Sequence, residues 1–238
     1  MKIEILGVKI DNLTIGEALE KIKGFLANGN QHYIVLPYSE FIVRAQKDKE
    51  FKDILNKASL SLCESRGLCL VARLCLQKSL KENIYGVDLI NNLIFNFQFS
   101  IFKTFLLGGK EEVVKKAGKK LGKKVIGFEH GYQDLGKVIQ KVNKVKPNIL
   151  LVALGSPKQE KWIYNNLKKM PSVKLAIGVG GAFDFISGRV KRAPKFLQKV
   201  GLEWLWRLIL QPWRIKRIYN GVIGLSWLVL KSKIKDKK

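Results

Sequence analysis

The sequence predicts an α/β domain in which helices cover both faces of a mostly parallel sheet. Short apolar runs alternate with amphipathic helical stretches, and glycine turns follow three of these runs, at 108–109, 155–156 and 180–181. The run 148–154 is almost wholly apolar, which is typical of a strand buried on both faces of a parallel sheet. Strand, glycine turn and helix in succession are typical of doubly wound, Rossmann-like folds.

The individual elements follow from the pattern of apolar residues along the chain. The first predicted strand ends at Pro37, and the helix after it has apolar residues at helical spacing. Glu111 and Glu112 begin a lysine-rich helix, where acidic side chains suit the helix dipole. The predicted strands lie at 33–36, 60–62, 104–107, 124–127, 148–154 and 175–179, and the predicted helices at 40–56, 111–121, 135–145 and 158–168.

The composition changes near the C-terminus. Residues 189–238 contain 14 basic and 2 acidic residues, together with four of the five tryptophans. We therefore divide the chain into an α/β domain, residues 1–195, and a basic helical appendage, residues 196–238. The longest apolar run, 218–230, has 13 residues, whereas a membrane-spanning helix needs about 20. We expect this run to lie on a membrane surface with the lysines that follow it.

The net charge of the 238-residue chain is +25, from 44 Lys and Arg against 19 Asp and Glu. Because 47% of the residues are hydrophobic, the chain is not a disordered basic tail. Folding does not require the excess charge, which indicates nucleic acid, an anionic membrane or a polyphosphate substrate as a partner. The basic residues form no recognised nucleic-acid-binding module, so we expect no nucleic acid partner.

Cysteine and histidine are too few, and too poorly spaced, to predict a metal site. Cys63, Cys69 and Cys75 follow one another at six-residue intervals, and on one helix they would not converge. The chain has only two histidines to complete a zinc set. We expect buried thiols in a reducing cytoplasm and no metal. The N-terminus has no secretory signal pattern.

The glycine turns have two possible roles, tight-turn geometry or the binding of a phosphate or sugar by backbone amides. None matches a GxGxxG or Walker A motif. Residues 154–162, LGSPKQEKW, place Lys158 and Gln159 at the start of a helix, where a cation and an amide can reach a ligand. An ordinary helix start would instead explain Ser156 as a cap, Pro157 in the first turn, and Glu160.

Several blocks carry a resemblance to a known family. LGSPKQEKWI, GVGGAFDFISGRVKRAPKFLQKVGLEWLWRL, FLLGGKEEVVKKA, IGFEHGYQD and the opening GVKIDNLTIGEALEKI occur in the order found in the bacterial WecG/TagA/CpsF glycosyltransferases. The chain resembles that family along nearly its whole length.

The resemblance implies an inverting transferase that needs no metal and no cofactor. It would move an N-acetylmannosamine-type residue, or a related hexose, from a UDP-sugar to a polyprenyl-diphosphate-linked N-acetylglucosamine in teichoic acid or other cell-surface polysaccharide synthesis. It also implies a peripheral protein at the cytoplasmic face of the cell membrane, and it suggests a homo-oligomer.

The chain departs from the family pattern at two positions. Tyr38 follows Leu36-Pro37 where the family has a T-P-N-like run, and Glu64 stands where the family has the Asp of an L-P-D-G-like turn. An inverting transferase needs a carboxylate that removes the proton of the acceptor hydroxyl, so we expect Glu64 to be the general base. The alternative is a surface carboxylate in a catalytically altered, membrane-associated sugar-nucleotide-binding protein.

Two further charged residues have more than one possible role. Arg66 could pair with Glu64 and lower its pKa, or bind a substrate diphosphate. Asp88, in YGVDLI, resembles a family position and could bind a hydroxyl group or cap a helix.

The leaving group UDP accumulates negative charge, which arginines neutralise when no metal is present. Arg207, Arg214 and Arg217 of the appendage are spaced by seven and three residues, so we expect them on one helix face, where they bind the diphosphate. The alternative is that these arginines only form a basic face in contact with solvent. The predicted catalytic residues are Glu64, Arg207, Arg214 and Arg217. The predicted substrate-binding residues are Tyr38, Arg66, Asp88, Gly108, Gly109, Gly131, Tyr132, Gly155, Ser156, Lys158, Gln159, Gly180 and Gly181.

Overall fold

The structure is a computed structural model. It describes residues 1–96, 99–200, 202–212, 215 and 219–235, without the side chains of Cys75, Lys199, Val200 and Lys235.

The main sheet has six parallel strands, as the sequence predicts. They are β3 (His32–Val35), β4 (Leu60–Ser61), β5 (Thr104–Gly108), β6 (Val125–Glu129), β7 (Ile149–Ala153) and β8 (Leu175–Gly178), in the spatial order β4-β3-β8-β7-β5-β6. All six predicted strands are confirmed within one or two residues at each end. Because the strands are parallel, their carboxyl ends lie along one edge of the sheet, where α/β domains bind ligands.

An N-terminal hairpin, which the sequence patterns did not indicate, packs beside the sheet. Its strands are β1 (Lys2–Ile5) and β2 (Val8–Asp11). Asp11 joins the hairpin to the sheet, because it forms a parallel bridge to Leu62 and its carboxylate accepts the Ser61 N–H at 2.9 Å.

Helices cover both faces of the sheet. They are α1 (Ile15–Ala27), α2 (Ser39–Ala45), α3 (Lys49–Lys57), α4 (Arg66–Leu76), α5 (Gly86–Phe95), α6 (Glu111–Leu121), α7 (Leu135–Val145), α8 (Lys158–Asn166) and α9 (Ala182–Ser187). Alternate residues of β7 face two separate cores: Leu150 and Val152 lie in one, Ile149 and Leu151 in the other. The doubly wound fold is therefore confirmed.

The predicted helix 40–56 is wrong as one element, since the structure has two helices there. α2 ends at Ala45, and Asp48 begins α3 as its N-cap, where its carboxylate accepts the Phe51 N–H at 2.9 Å. An aspartate that satisfies the free amides of a new helix start favours this break over a continuous helix.

The described part of the C-terminal appendage is helical. It comprises α10 (Lys195–Val200), α11 (Glu203–Leu210), a π-helical turn (Tyr219–Ile223) and α12 (Gly224–Lys235). α12 packs against α2 and α4 and buries Leu225 and Val229 completely. Within the described residues, no helix is both long enough and apolar enough to traverse a bilayer.

Candidate active site

A large cavity of about 1300 Å³ opens at the carboxyl edge of the sheet. Loops after β3, β4, β7 and β8 form its floor, and α11 with the π-helical turn forms one wall. A smaller cavity of about 310 Å³ adjoins it and shares Gly155, Gly180, Gly181 and Asp184 as lining residues.

Most of the predicted site residues line one or both cavities. The large cavity contains Tyr38, Glu64, Arg66, Gly155, Ser156, Gln159, Gly180, Gly181 and Arg207, and the small one contains Gly109, Gly131, Tyr132, Gly155, Lys158, Gly180 and Gly181. Asp88 lines neither cavity, and Gly108 lines neither. A Cβ there would lie 2.3 Å from the Ala153 carbonyl oxygen, and φ is +118°, so the tight-turn role fits this residue.

Glu64 is half-buried in the loop between β4 and α4. Its N–H donates to the Pro37 carbonyl at 2.9 Å, which joins this loop to the one after β3. Its Oε1 accepts the N–H of Gly86, the first residue of α5, at 3.0 Å. This contact with the N-terminus of α5 orients the carboxylate.

Tyr38 and Arg66 flank the Glu64 loop. Tyr38 occupies the N-cap position of α2, and its ring packs edge-on against Phe41 with centroids 4.6 Å apart. Arg66 is the first residue of α4, and its guanidinium donates to the Gln198 carbonyl of α10 at 3.4 Å. Arg66 thus connects the Glu64 loop with the appendage.

Asp88 does not cap its helix, because the N-cap of α5 is Tyr85. Both Asp88 carboxylate oxygens accept hydrogen bonds from Arg192, and the Nε of Arg192 donates to Glu203 Oε1 at 3.2 Å. The hydrogen bond with Asp88 raises the pKa of Arg192, which keeps the guanidinium charged.

Sequence reasoning missed Arg192 and Glu203, although both line the large cavity. Arg192 is one of many basic residues in its segment. Glu203 is one of only two acidic residues in 189–238, and that isolation is a signal that could have identified it.

The segment LGSPKQE is built differently from an ordinary helix start. The N-cap position of α8 is Pro157, without a side-chain cap, so the alternative interpretation, with Ser156 as the cap, is wrong. Gln159 is buried, and its Oε1 accepts the N–H groups of Gly155 and Gly180 at 3.2 Å each. These two amides therefore bind the Gln159 side chain. Lys158 is exposed at the smaller cavity.

Glu160 is the most deeply buried carboxyl group near the site, with no exposed surface. Its Oε1 accepts the Gln159 Nε2–H at 2.6 Å, and its Oε2 has no hydrogen-bond partner among the described residues. Burial raises the pKa of Glu160 to about 7. Gly178 leaves room for this pair, since a Cβ there would lie 2.9 Å from Gln159 Nε2 and 3.1 Å from Glu160 Oε1.

Gly109, Gly131 and Tyr132 form the far wall of the smaller cavity. The Gly131 N–H donates to the Gly109 carbonyl at 3.0 Å, and the Gly109 N–H donates to Ala153 at 3.1 Å. Tyr132 is 79% exposed, so its ring can contact a ligand without disturbing the core.

Arg207 lies on α11 over the ring of Phe185, 4.5 Å from the ring centroid. It approaches the 180–181 turn, since a Cβ on Gly181 would lie 3.5 Å from its Nη2. The predicted residues Arg214 and Arg217 lie outside the described residues.

Cys63 and Cys69 contact each other, with sulfur atoms 3.4 Å apart. The predicted separation holds only for cysteines on one helix, whereas Cys63 precedes α4, which begins at Arg66. In the described part of the chain, no three His, Cys, Asp or Glu side chains cluster closely enough to hold a metal ion.

Comparison with known proteins gives one family and two informative relatives. Residues 3–238 match the glycosyl transferase WecG/TagA/CpsF family. The N-acetylglucosaminyldiphosphoundecaprenol N-acetyl-β-D-mannosaminyltransferase of Bacillus subtilis (strain 168) is 35% identical over 205 residues, covering 84% of this chain and 78% of that protein. The protein of the same name from Staphylococcus aureus (strain NCTC 8325) is 32% identical over 245 residues, covering 100% and 95%.

Proposed function

The chain belongs to the WecG/TagA/CpsF family of glycosyltransferases, and on this premise we propose the reaction that it catalyses. It transfers an N-acetylmannosamine-type residue, or a related hexose, from a UDP-sugar to a polyprenyl-diphosphate-linked N-acetylglucosamine. Transfer inverts the anomeric centre and needs no metal. The names of both relatives support the acceptor and the type of sugar.

The position of Glu64 is the observation that carries this proposal. Its carboxylate lies at the carboxyl edge of the sheet, lines the large cavity and accepts a hydrogen bond from the N-terminus of α5. In the proposed reaction, an acceptor hydroxyl oxygen attacks the anomeric carbon while Glu64 takes its proton and UDP departs. The hydrogen bond from Gly86 holds the half-buried carboxylate at the cavity, where the acceptor hydroxyl loses its proton in this reaction.

Arg207 supplies positive charge in the same cavity. Its guanidinium lies over Phe185 and close to the 180–181 turn, where it can bind the oxygens of a departing diphosphate. We assign Arg214 and Arg217 the same role from the sequence resemblance.

The proposed reaction is tested by measuring UDP release with a panel of UDP-sugars and a polyprenyl-diphosphate N-acetylglucosamine acceptor. Glu64→Gln keeps the size of the side chain and removes its basicity. We expect kcat to fall by about 10² or more and KM to change little. Glu112→Gln, exposed at the start of α6, is the matched control and should retain wild-type rates.

Two results would contradict the proposal. Undiminished transfer by Glu64→Gln would exclude Glu64 as the base. Binding of a UDP-sugar by the wild-type protein without acceptor-dependent UDP release would instead favour a sugar-nucleotide-binding protein.

A chelator should leave the rate unchanged, and Arg207→Ala, Arg214→Ala and Arg217→Ala should each lower kcat on a soluble acceptor analogue.

We further propose that α12 docks the protein on the cytoplasmic face of the membrane. Ile223, Trp227, Leu230 and Ile234 are all more than half exposed, at spacings of four, three and four residues. They therefore form one stripe along the helical segment, opposite the buried Leu225 and Val229. Exposed Lys231 and Lys233 flank the stripe and suit anionic lipid headgroups.

Liposome binding tests the docking proposal. Binding to anionic vesicles should weaken with salt and decrease in Trp227→Ser, whereas duplex DNA should bind more weakly at the same ionic strength. Equal binding of Trp227→Ser and wild-type protein would exclude the stripe as the docking surface.

A further inference from the structure

Two thiols contact each other beside the proposed base. Cys63 immediately precedes Glu64, and Cys69 lies in the N-terminal half of α4. Their sulfur atoms are 3.4 Å apart. Cys63 is buried, whereas Cys69 is half-buried and lines the large cavity. A small molecule that enters the cavity therefore reaches Cys69 first.

The surroundings make the two sulfur atoms chemically unequal. Two factors raise the pKa of Cys63: the hydrogen bond with Cys69, which has the larger effect, and the burial of the thiol. The hydrogen bond with Cys63 lowers the pKa of Cys69, burial of Cys69 opposes this effect, and the Arg66 charge adds to the lowering. The accessible Cys69 is thus the more acidic of the two thiols, and the thiolate is the attacking form in disulfide exchange.

We propose that Cys63 and Cys69 are a redox-active dithiol that closes reversibly to a disulfide by exchange with a low-molecular-weight disulfide such as oxidised glutathione. The Cys69 thiolate attacks one sulfur of that disulfide, forms a mixed disulfide and releases a thiolate. The Cys63 sulfur then attacks the Cys69 sulfur, and its proton goes to the second thiol released. From the Cys69 thiolate and the Cys63 thiol, the protein loses two electrons and one proton, and the small disulfide is reduced to one thiolate and one thiol.

Closure requires the two sulfur atoms to approach from 3.4 Å to about 2.05 Å. The backbone around Cys63 is held on both sides. The Cys63 carbonyl accepts the Ile84 N–H at 2.6 Å, and the Glu64 N–H donates to Pro37 at 2.9 Å. When the two sulfur atoms approach each other, either the peptide bond between Cys63 and Glu64 is strained or α4 moves toward Cys63. Resting on the proposed function, we infer that the oxidised form transfers sugar more slowly.

Trypsin separates the three cysteines, which makes the site directly measurable. Cleavage after Lys57, Arg66, Arg73 and Lys78 gives peptides 58–66, 67–73 and 74–78, with Cys63, Cys69 and Cys75 in that order. The full-length protein is incubated with oxidised glutathione, alkylated, digested and analysed by mass spectrometry. We expect peptides 58–66 and 67–73 joined, at a mass two hydrogens below their sum, and separated again by dithiothreitol.

Variants identify the partners. Cys75→Ser should form the same linked peptides as the wild type, whereas Cys69→Ser should form none and Cys63→Ser should keep glutathione on Cys69. A stable glutathione adduct on wild-type Cys69, a link between Cys69 and Cys75, or unmodified thiols would each overturn the proposal. The wild-type and Cys75→Ser results do not depend on how the other variants fold.

UDP release then tests the consequence for transfer. Oxidised Cys75→Ser should be at least about tenfold slower than its reduced form and recover fully with dithiothreitol, while Cys69→Ser should be insensitive to the oxidant. A linked peptide pair with unchanged transfer would overturn the regulatory effect and leave the dithiol site standing. The mass measurement judges the dithiol whether or not transfer is observed, so the two proposals fail separately.

Discussion

The Arg192 guanidinium donates hydrogen bonds of 2.5 and 2.6 Å to the two carboxylate oxygens of Asp88, 104 residues earlier in the chain. The same guanidinium reaches the buried Glu203 at the start of α11. Beside it, the Trp206 indole N–H donates to the Lys191 carbonyl at 3.1 Å. Arg192 therefore joins α5 to α11, the helix that carries Arg207.

Asp88→Asn should weaken this connection without changing the size of the side chain. A half-buried arginine then loses one charged partner, which costs about 1–3 kcal/mol in the free energy of unfolding. Chemical denaturation measures this loss, and limited proteolysis should cut the appendage faster than in the wild type. In Glu50→Gln, which breaks an ion pair with Lys161 at a glutamate whose side chain is 58% exposed, we expect a change below about 1 kcal/mol. Equal losses in the two variants would contradict the special role of the Arg192 pair.

The strands were predictable because a parallel sheet buries both faces of its central strands, and a run such as ILLVA in β7 records that burial directly. The Asp88–Arg192 pair was not predictable in this way, because its two residues lie 104 positions apart in the chain. Local patterns contain no information about such a contact. The contact between Cys63 and Cys69 was missed for a related reason: residue spacing predicts convergence only when the helix boundary is known.

The glycine turns at 155–156 and 180–181 show a further limit of prediction from the sequence. Their positions at strand ends were predicted correctly, and so was the position of Gln159 at the start of a helix. The sequence did not indicate that Gln159 itself would bind the Gly155 and Gly180 amides. That arrangement exists because β7 and β8 are neighbours in the sheet, which brings two turns 25 residues apart within reach of one side chain.

Gly86→Ala should displace the proposed base. A Cβ on Gly86 would lie 3.1 Å from Glu64 Oε1 and 3.2 Å from Leu36 Cδ1, so the carboxylate must give way. We expect kcat for UDP release to fall about tenfold or more, with a smaller change in KM.

Gly24→Ala is the matched control. Gly24 lies within α1, and a Cβ there meets nothing within 4 Å. This substitution should leave kcat unchanged and raise the free energy of unfolding by about 0.5–1 kcal/mol. A wild-type kcat in Gly86→Ala would mean that the position of Glu64 is not critical.

Glu160 should make stability depend on pH. Its pKa is about 7 in the folded protein against 4.5 without the fold, so between these values the folded state binds more protons than the unfolded state. The contribution of the neutral acid to the free energy of unfolding is fully present below about pH 4.5 and is lost as the pH rises to about 7. The whole loss is about 3 kcal/mol. Glu160→Gln is neutral at every pH. The wild type's free energy of unfolding minus that of this variant should therefore fall across pH 4.5–7, and a constant difference would contradict the assignment.

Gln159→Leu should separate the binding role of the 155–156 and 180–181 turns from simple folding. Leucine nearly keeps the volume, removes the acceptor shared by the Gly155 and Gly180 amides, and removes the donor to Glu160. The loss of these buried hydrogen bonds should lower the free energy of unfolding by about 2 kcal/mol. Because both turns line both cavities, we also expect KM for the UDP-sugar to rise about tenfold.

Gln46→Leu removes hydrogen bonds to Leu6 and Ile42 outside both cavities and should lower stability with KM unchanged. If Gln159→Leu behaved like Gln46→Leu, the side chain would support the fold and the donor would bind elsewhere.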